Sequence, residues 1–159
     1  MTDKVLEIIA IAFMLYGIVE VLLNWSTLPQ QIPTHFDAAG NADGWGSKGM
    51  IWLLPAIVVV LIPSLLLLRR FPWLSNAPIK ITEDNAEHQY ALIVRLLSLL
   101  ACLVSFMFLT LLLDIISIAG GGTSLLGAWM LPVHMIPIAC CIIWYVVSSI
   151  RSAKHIEMS

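Results

Sequence analysis

Four stretches of this chain are long and apolar enough to cross a bilayer, and that property decides most of what it can become. Val5–Leu23, Gly49–Leu68, Tyr90–Ile118 and Leu125–Ile150 come near or exceed the roughly 20 residues that a spanning helix requires. Their apolar residues run on continuously instead of recurring at amphipathic spacing. Backbone amides in hydrocarbon must pair within their own segment, so such runs read as helices. Charged residues make up only 11% of the 159 residues, against about a quarter in a soluble domain. The mean hydropathy is +0.94. The sequence therefore predicts an all-α membrane protein. Its single domain, residues 1–159, is a four-helix transmembrane bundle with spans at about 5–24, 49–68, 88–118 and 125–150.

The first run is too long for a signal-peptide core, carries Glu7 and Glu20, and lacks a small-x-small site before "NWSTLP". It is expected to stay as a membrane anchor. Cys102, Cys140 and Cys141 fall inside apolar spans and form no redox or metal motif, so packing is their expected role. With four spans, Lys4, Arg69, Arg70, Lys80, Arg95, Arg151 and Lys154 share one side, and Lys48 is alone on the other. The positive-inside rule then places both termini in the cytoplasm of a multi-pass cell-membrane protein. The loop between spans one and two faces outward, where Glu20, Asp37, Asp43 and Asp114 outnumber Lys48.

Pro55 and Pro63 in the second span, and Pro132 and Pro137 in the fourth, are expected to kink both helices. Asp84 followed by Glu87 resembles a capping box, which starts the third helix near residues 83–85. Glu7 and Arg95 lie at comparable depth on helices one and three. Because a lone charge in hydrocarbon is costly, they are expected to form a structural ion pair. The segment "SIAGGGTSLLGA" between spans three and four offers glycine and little chemistry.

The loop "LPQQIPTHFDAAGNADGWGSKG", residues 28–49, is of another kind, dense in polar and turn-forming residues. The residues before its prolines are biased to extended backbone. "THFD" reads as strand, "AAGNADG" as turn, and "WGSK" returns the chain to the membrane as the second arm of a short β-hairpin. Trp25 and Trp45 suit the interfacial belt, and Lys48 can snorkel. "NADG" fails as a calcium loop, because Met50 stands where the twelfth-position glutamate belongs.

His35, Phe36, Asp37, Asp43, Trp45 and Lys48 of this loop are the expected ligand-binding residues. Glu20, Asp114 and His134 join them at the outer mouth of the bundle. The loop is expected to fold back as a lid that brings His35 toward Glu20, Asp114 or His134. His35, His134, Glu20 and Asp114 are also zinc-ligand types. No HxxxH or ExxH pair fixes a geometry, so a water-accessible polar vestibule is the favoured reading and no cofactor is assigned. Neither GxSxG nor HExxH occurs, nor an intramembrane GxGD motif or a phosphate-binding glycine loop, so enzymatic chemistry finds no support. Nucleic-acid binding finds none either, because the inner basic residues are mixed with acids.

The pattern "LP..IP.HF...G..DGWGSK" resembles the signature of the domain-of-unknown-function 1648 family, a four-helix membrane domain of bacteria and archaea. Leu28, Pro29, Ile32, Pro33, His35, Phe36, Gly40, Asp43, Trp45, Gly46, Ser47 and Lys48 carry the match. The same domain forms the N-terminal part of SdpI-type immunity proteins, which have further C-terminal spans. These protect bacteria from a secreted membrane-active toxin and, in the known case, tether a repressor at the membrane. The resemblance implies a non-enzymatic immunity or sensor component that recognises a ligand or peptide toxin at its outer face, or works with a membrane partner protein. The alternative is a small-solute or ion transport subunit, necessarily oligomeric, or a metal-binding membrane protein using Glu20, Asp114 and His134.

Overall fold

The structure, a computed structural model, describes residues 2–157. Its helices are α1 (Thr2–Asn24), α2 (Leu53–Leu68), α3 (Ala86–Ala119) and α4 (Met130–Glu157). Between α1 and α2 lies a hairpin of β1 (Gln31–Phe36) and β2 (Ala42–Ser47), followed by a 3-10 turn at Lys48–Trp52. All four helical segments are long and apolar enough to cross a membrane. At 1.5 Å per residue the 34-residue α3 is about 50 Å long, well beyond a hydrocarbon core of about 30 Å. Large apolar side chains point outward on α1 (Ile8, Leu22), α2 (Val60) and α4 (Ile136, Ile143). Such faces would be a liability in water and are ordinary against lipid.

α3 is the hub and packs against each of the other three helices. Small residues let α1 approach it closely, as lipid-facing bundles require where water does not drive helices together. Ala10 and Ala101 are fully buried, and Ser105 Oγ donates to the Ala10 carbonyl at 2.7 Å. Gly17 faces Leu112, whose Cδ2 would stand 3.3 Å from a Cβ there. α4 meets α3 along His134, Cys141, Tyr145 and Ser149, spaced to share one helical face. Near the chain termini this contact is polar. Gln89 Nε2 donates to Ser152 Oγ at 2.8 Å, and Ser149 Oγ donates to Gln89 Oε1 at 2.6 Å.

Several expectations are corrected. Glu7 pairs with Arg69 at 2.9 Å, not with Arg95. Arg95 is exposed: it is two residues from both Ile93 and Leu97, which places it roughly 160° around α3 from that buried stripe. Arg69, at the end of α2, reaches α1 directly. α3 begins at Ala86 with Asn85 as N-cap and no side-chain capping bond, so the Asp84–Glu87 box does not form. Asn85 instead ties the preceding loop, accepting from Thr82 N and donating to the Lys80 carbonyl. Pro55 and Pro132 fall in first turns, where the missing N–H costs nothing, and only Pro63 and Pro137 lie inside helices.

The hairpin also differs in register. β1 starts at Gln31, and the turn is Asp37–Asn41, so the Ala-Asp-Gly of "NADG" belongs to β2. Asp37 explains the earlier turn. Its Oδ1 accepts from Ala39 N at 2.9 Å and Asn41 N at 2.8 Å, and its Oδ2 accepts from Asn41 Nδ2. This is an Asx-turn held by one side chain. Gly44 lies opposite His35, whose Cβ would stand 2.8 Å from a Cβ at that position.

Candidate functional site

The hairpin folds back over the bundle, as expected, but does not carry His35 to Glu20, Asp114 or His134. Ile32 and Pro33 are buried, and Phe36 packs beside α3 residues Leu111 and Ile116 on a core of Val21, Leu28, Ile32, Ile51, Leu112 and Ile115. The seat for the turn is the glycine-rich segment between α3 and α4. Gly40 has φ +81°, and a Cβ there would lie 2.3 Å from the carbonyl carbon of Gly127. Backbone rests on backbone at that point, which only glycine permits.

Asp114 prepares this seat. It is 1% exposed, and its Oδ1 accepts from Leu125 N at 2.5 Å while Oδ2 accepts from Ser124 Oγ at 2.9 Å. Ser124 Oγ in turn accepts from Gly127 N at 2.8 Å. A carboxylate one turn or so below the helix end thus supplies the acceptors that a tight glycine loop lacks. The segment that looked chemically dull is the surface on which the hairpin docks.

His134 is equally well provided for. Its Nδ1 faces only the Met130 carbonyl, 2.6 Å away, and so carries the proton. In the neutral ring Nε2 then accepts from the Thr110 hydroxyl at 2.9 Å. The ring packs against Phe106, and the residue is 4% exposed.

The remaining expected site residues go elsewhere. His35 Nδ1 lies 2.5 Å from Asp43 Oδ1, with side-chain exposures of 73% and 47%. It turns to solvent and does not approach Glu20, Asp114 or His134; the strand pairing that sets it opposite Gly44 makes Asp43 its nearest partner. Trp45 is exposed opposite Pro33. Lys48 Nζ sits 4.6 Å over the Trp25 ring, which packs against Trp52. Glu20 is held on α1, where Asn24 Nδ2 donates to its Oε2 at 3.1 Å. Among the described residues no group of three His, Cys, Asp or Glu side chains is placed to hold a metal ion.

What converges is space. A cavity of about 180 Å³ lies between the hairpin turn, α3 and α4. Phe36, Asp37 and Gly40 roof it, Met107, Leu111 and Asp114 line it from α3, and Met130, Leu131, His134 and Met135 line it from α4. Leu131 and Met135 are 58% and 44% exposed, so the mouth opens on the lipid-facing side of α4. The three methionines are the residues that sequence reading missed. Each looks like span filler, and only the α3–α4 contact brings them together. Unbranched thioether walls adapt to apolar ligands of varied shape. Asp37, at the rim, keeps its carboxyl below the usual value of 3.8 through the Asn41 backbone and side-chain N–H groups, so the rim carries negative charge.

Residues 8–59 match the family model described as Domain of unknown function (DUF1648), which bears out the resemblance of the loop signature. The matched segment runs from α1 through the hairpin into α2. An uncharacterized protein of Archaeoglobus fulgidus is 38% identical over 82 residues, covering 46% of this chain and 43% of that protein. The chain therefore spans less than half the length of that relative. No solved structure matches the chain.

Proposed function

We propose that this is a non-enzymatic, multi-pass membrane protein with cytoplasmic termini, and that its outward hairpin end captures an amphiphilic peptide bearing positive charge. An SdpI-like immunity or sensor component is the role that fits. The observation carrying this reading is the methionine-walled cavity beneath an ordered hairpin, open toward lipid and rimmed by acid. Apolar side chains of a membrane-active peptide suit its walls, and the excess of Asp and Glu at that end favours a cationic partner. The transport alternative needs Glu20, Asp114 and His134 on one path. Asp114 and His134 line the cavity together, but Glu20 is not part of it and is held on α1 by Asn24.

The test uses the protein in nanodiscs of neutral lipid with a synthetic Leu/Lys amphipathic peptide and its Leu/Glu counterpart. The Leu/Lys peptide is expected to raise the thermal midpoint and the Leu/Glu peptide to leave it unchanged. Met135→Trp, which fills the mouth, is expected to remove the gain. Equal responses to both peptides, or a gain that survives Met135→Trp, would overturn the proposal. Protection of a sensitive host from a secreted cationic toxin is the matching assay in cells.

A further inference from the structure

The cavity beside α4 has a neighbour. A second one, of about 270 Å³, lies on the other side of Phe36, between β1, α3 and the start of α2. Phe36 and Leu111 line both, so a single pair of side chains, one from the hairpin and one from α3, forms the wall between them. Met50 and Leu53 line the second cavity and are exposed, so it also opens on the outer surface of the apolar spans. α2 and α4 flank α3 from different sides at this end. Nearer the chain termini Leu65 and Leu68 of α2 pack against a cluster of Leu92, Ile93 and Leu97 of α3 and Tyr145 of α4. At the hairpin end Phe36 and Leu111 stand between the two cavities.

We infer that Phe36 is the specificity-determining residue of this site, a wedge that splits one groove into two lobes. This rests on the proposed capture of an amphiphilic cationic peptide. A ligand of that kind seats one apolar side chain in each lobe, astride Phe36. The wedge limits how much of a group each lobe can enclose, because Phe36 and Leu111 bound both lobes on their shared side. Each lobe exceeds the apolar cavities of about 150 Å³ that stay dry and take a benzene-sized guest. Leu, Phe and Trp side chains therefore fall within the range, whereas a biphenyl group, with two such rings, would need about 300 Å³ on the same scale, more than either lobe encloses.

The experiment measures binding of two Leu/Lys peptides to the protein in neutral nanodiscs. One has leucine at its central apolar position and the other has biphenylalanine. The wild-type protein is expected to bind the leucine peptide and to discriminate against the biphenyl peptide. Phe36→Ala is expected to improve binding of the biphenyl peptide about tenfold or more, the scale on which hydrophobic pockets sort groups by size. Leu111→Ala opens the same wall from the rigid α3 side and is expected to act alike, which separates loss of the wedge from loss of hairpin docking. Ile143→Ala, exposed on α4 and lining neither cavity, is expected to change neither affinity. If the wild-type protein binds the leucine peptide and neither wall variant gains the biphenyl peptide, the wedge is refuted and the capture proposal stands. If the wild-type protein binds neither peptide, the capture proposal itself fails.

Discussion

Replacing Gly40 with alanine tests the docking of the hairpin on the α3–α4 loop. Two costs add at this position. Left-handed backbone, with φ +81°, disfavours any residue with a Cβ by about 1–2 kcal/mol. The new methyl would also lie 2.3 Å from the Gly127 carbonyl carbon and 2.4 Å from its oxygen. Backbone cannot rotate aside as a side chain can, so relief requires separation of hairpin and loop, and overpacking of this kind costs about 1–3 kcal/mol more. Gly121 supplies the control. It has φ +86°, and a Cβ there would meet nothing within 4 Å, so Gly121→Ala carries the backbone cost alone.

The difference, about 1–3 kcal/mol, corresponds to a roughly 5- to 150-fold larger opening constant for the hairpin in Gly40→Ala. It should appear as local opening rather than unfolding of the bundle, because the hairpin is a small unit on a large apolar core. Amide hydrogen exchange in nanodiscs reads this directly. Gly40→Ala is expected to accelerate exchange in both the hairpin and residues 123–127, whereas Gly121→Ala should loosen only its own turn. If the two variants exchange alike, the backbone contact between Gly40 and Gly127 is absent and the reasoning fails.

Arg69→Met should cost about 1–3 kcal/mol in a detergent melt, short of a fully buried pair because Glu7 keeps 31% exposure. The Glu7→Gln/Arg69→Met double variant should recover part of that, and Arg95→Met should lie within about 0.5 kcal/mol of wild type. Asp114→Ala strands the Leu125 amide and the Ser124 hydroxyl, and should cost about 1–3 kcal/mol and speed exchange across residues 123–127. Asp37 has a depressed folded pKa, so its contribution to the turn is complete above the unfolded value of about 3.9 and is lost as pH falls through the folded value. Hairpin exchange protection should therefore drop below about pH 4 in wild type, and Asp37→Asn should remove that dependence. Ser47→Cys in right-side-out vesicles should react with an impermeant maleimide; labelling only from the cytoplasmic side would reverse the topology.

Length and hydropathy made the four helices legible, because spanning hydrocarbon leaves the backbone almost no alternative. The hairpin was legible from its prolines, glycines and β-branched residues, and the signature within it from their spacing. Position around each helix was not. Sequence gives depth through the rise per residue, so Glu7, Arg69 and Arg95 all read as neighbours of one boundary. Which of the two arginines meets Glu7 depends on the rotation of α3 about its axis, and that is set by the packing of Ile93 and Leu97. The turn was misplaced for a related reason. "NADG" carries strong turn residues, but Asp37 closes its own Asx-turn first and leaves Asp43 and Gly44 to the strand.

The same physics explains why Glu20 and His35 do not join Asp114 and His134, which line one cavity, in a single centre. In a bundle with little water, an unpartnered polar side chain is costly, so each takes a partner on its own helix or in the adjoining loop. Glu20 takes Asn24, His134 takes the Met130 carbonyl, and Asp114 takes the start of the next loop. Each group is satisfied where it stands, and none needs a metal or a distant carboxylate to complete it. Polar residues satisfied in this way act as struts: they hold α3, α4 and the loop in fixed relation and leave the apolar walls to decide what enters. On that view the functional surface of this protein is the shape enclosed by Phe36, Leu111 and the methionines. Substitutions that alter its volume should change ligand choice, and substitutions of the polar residues should change stability first.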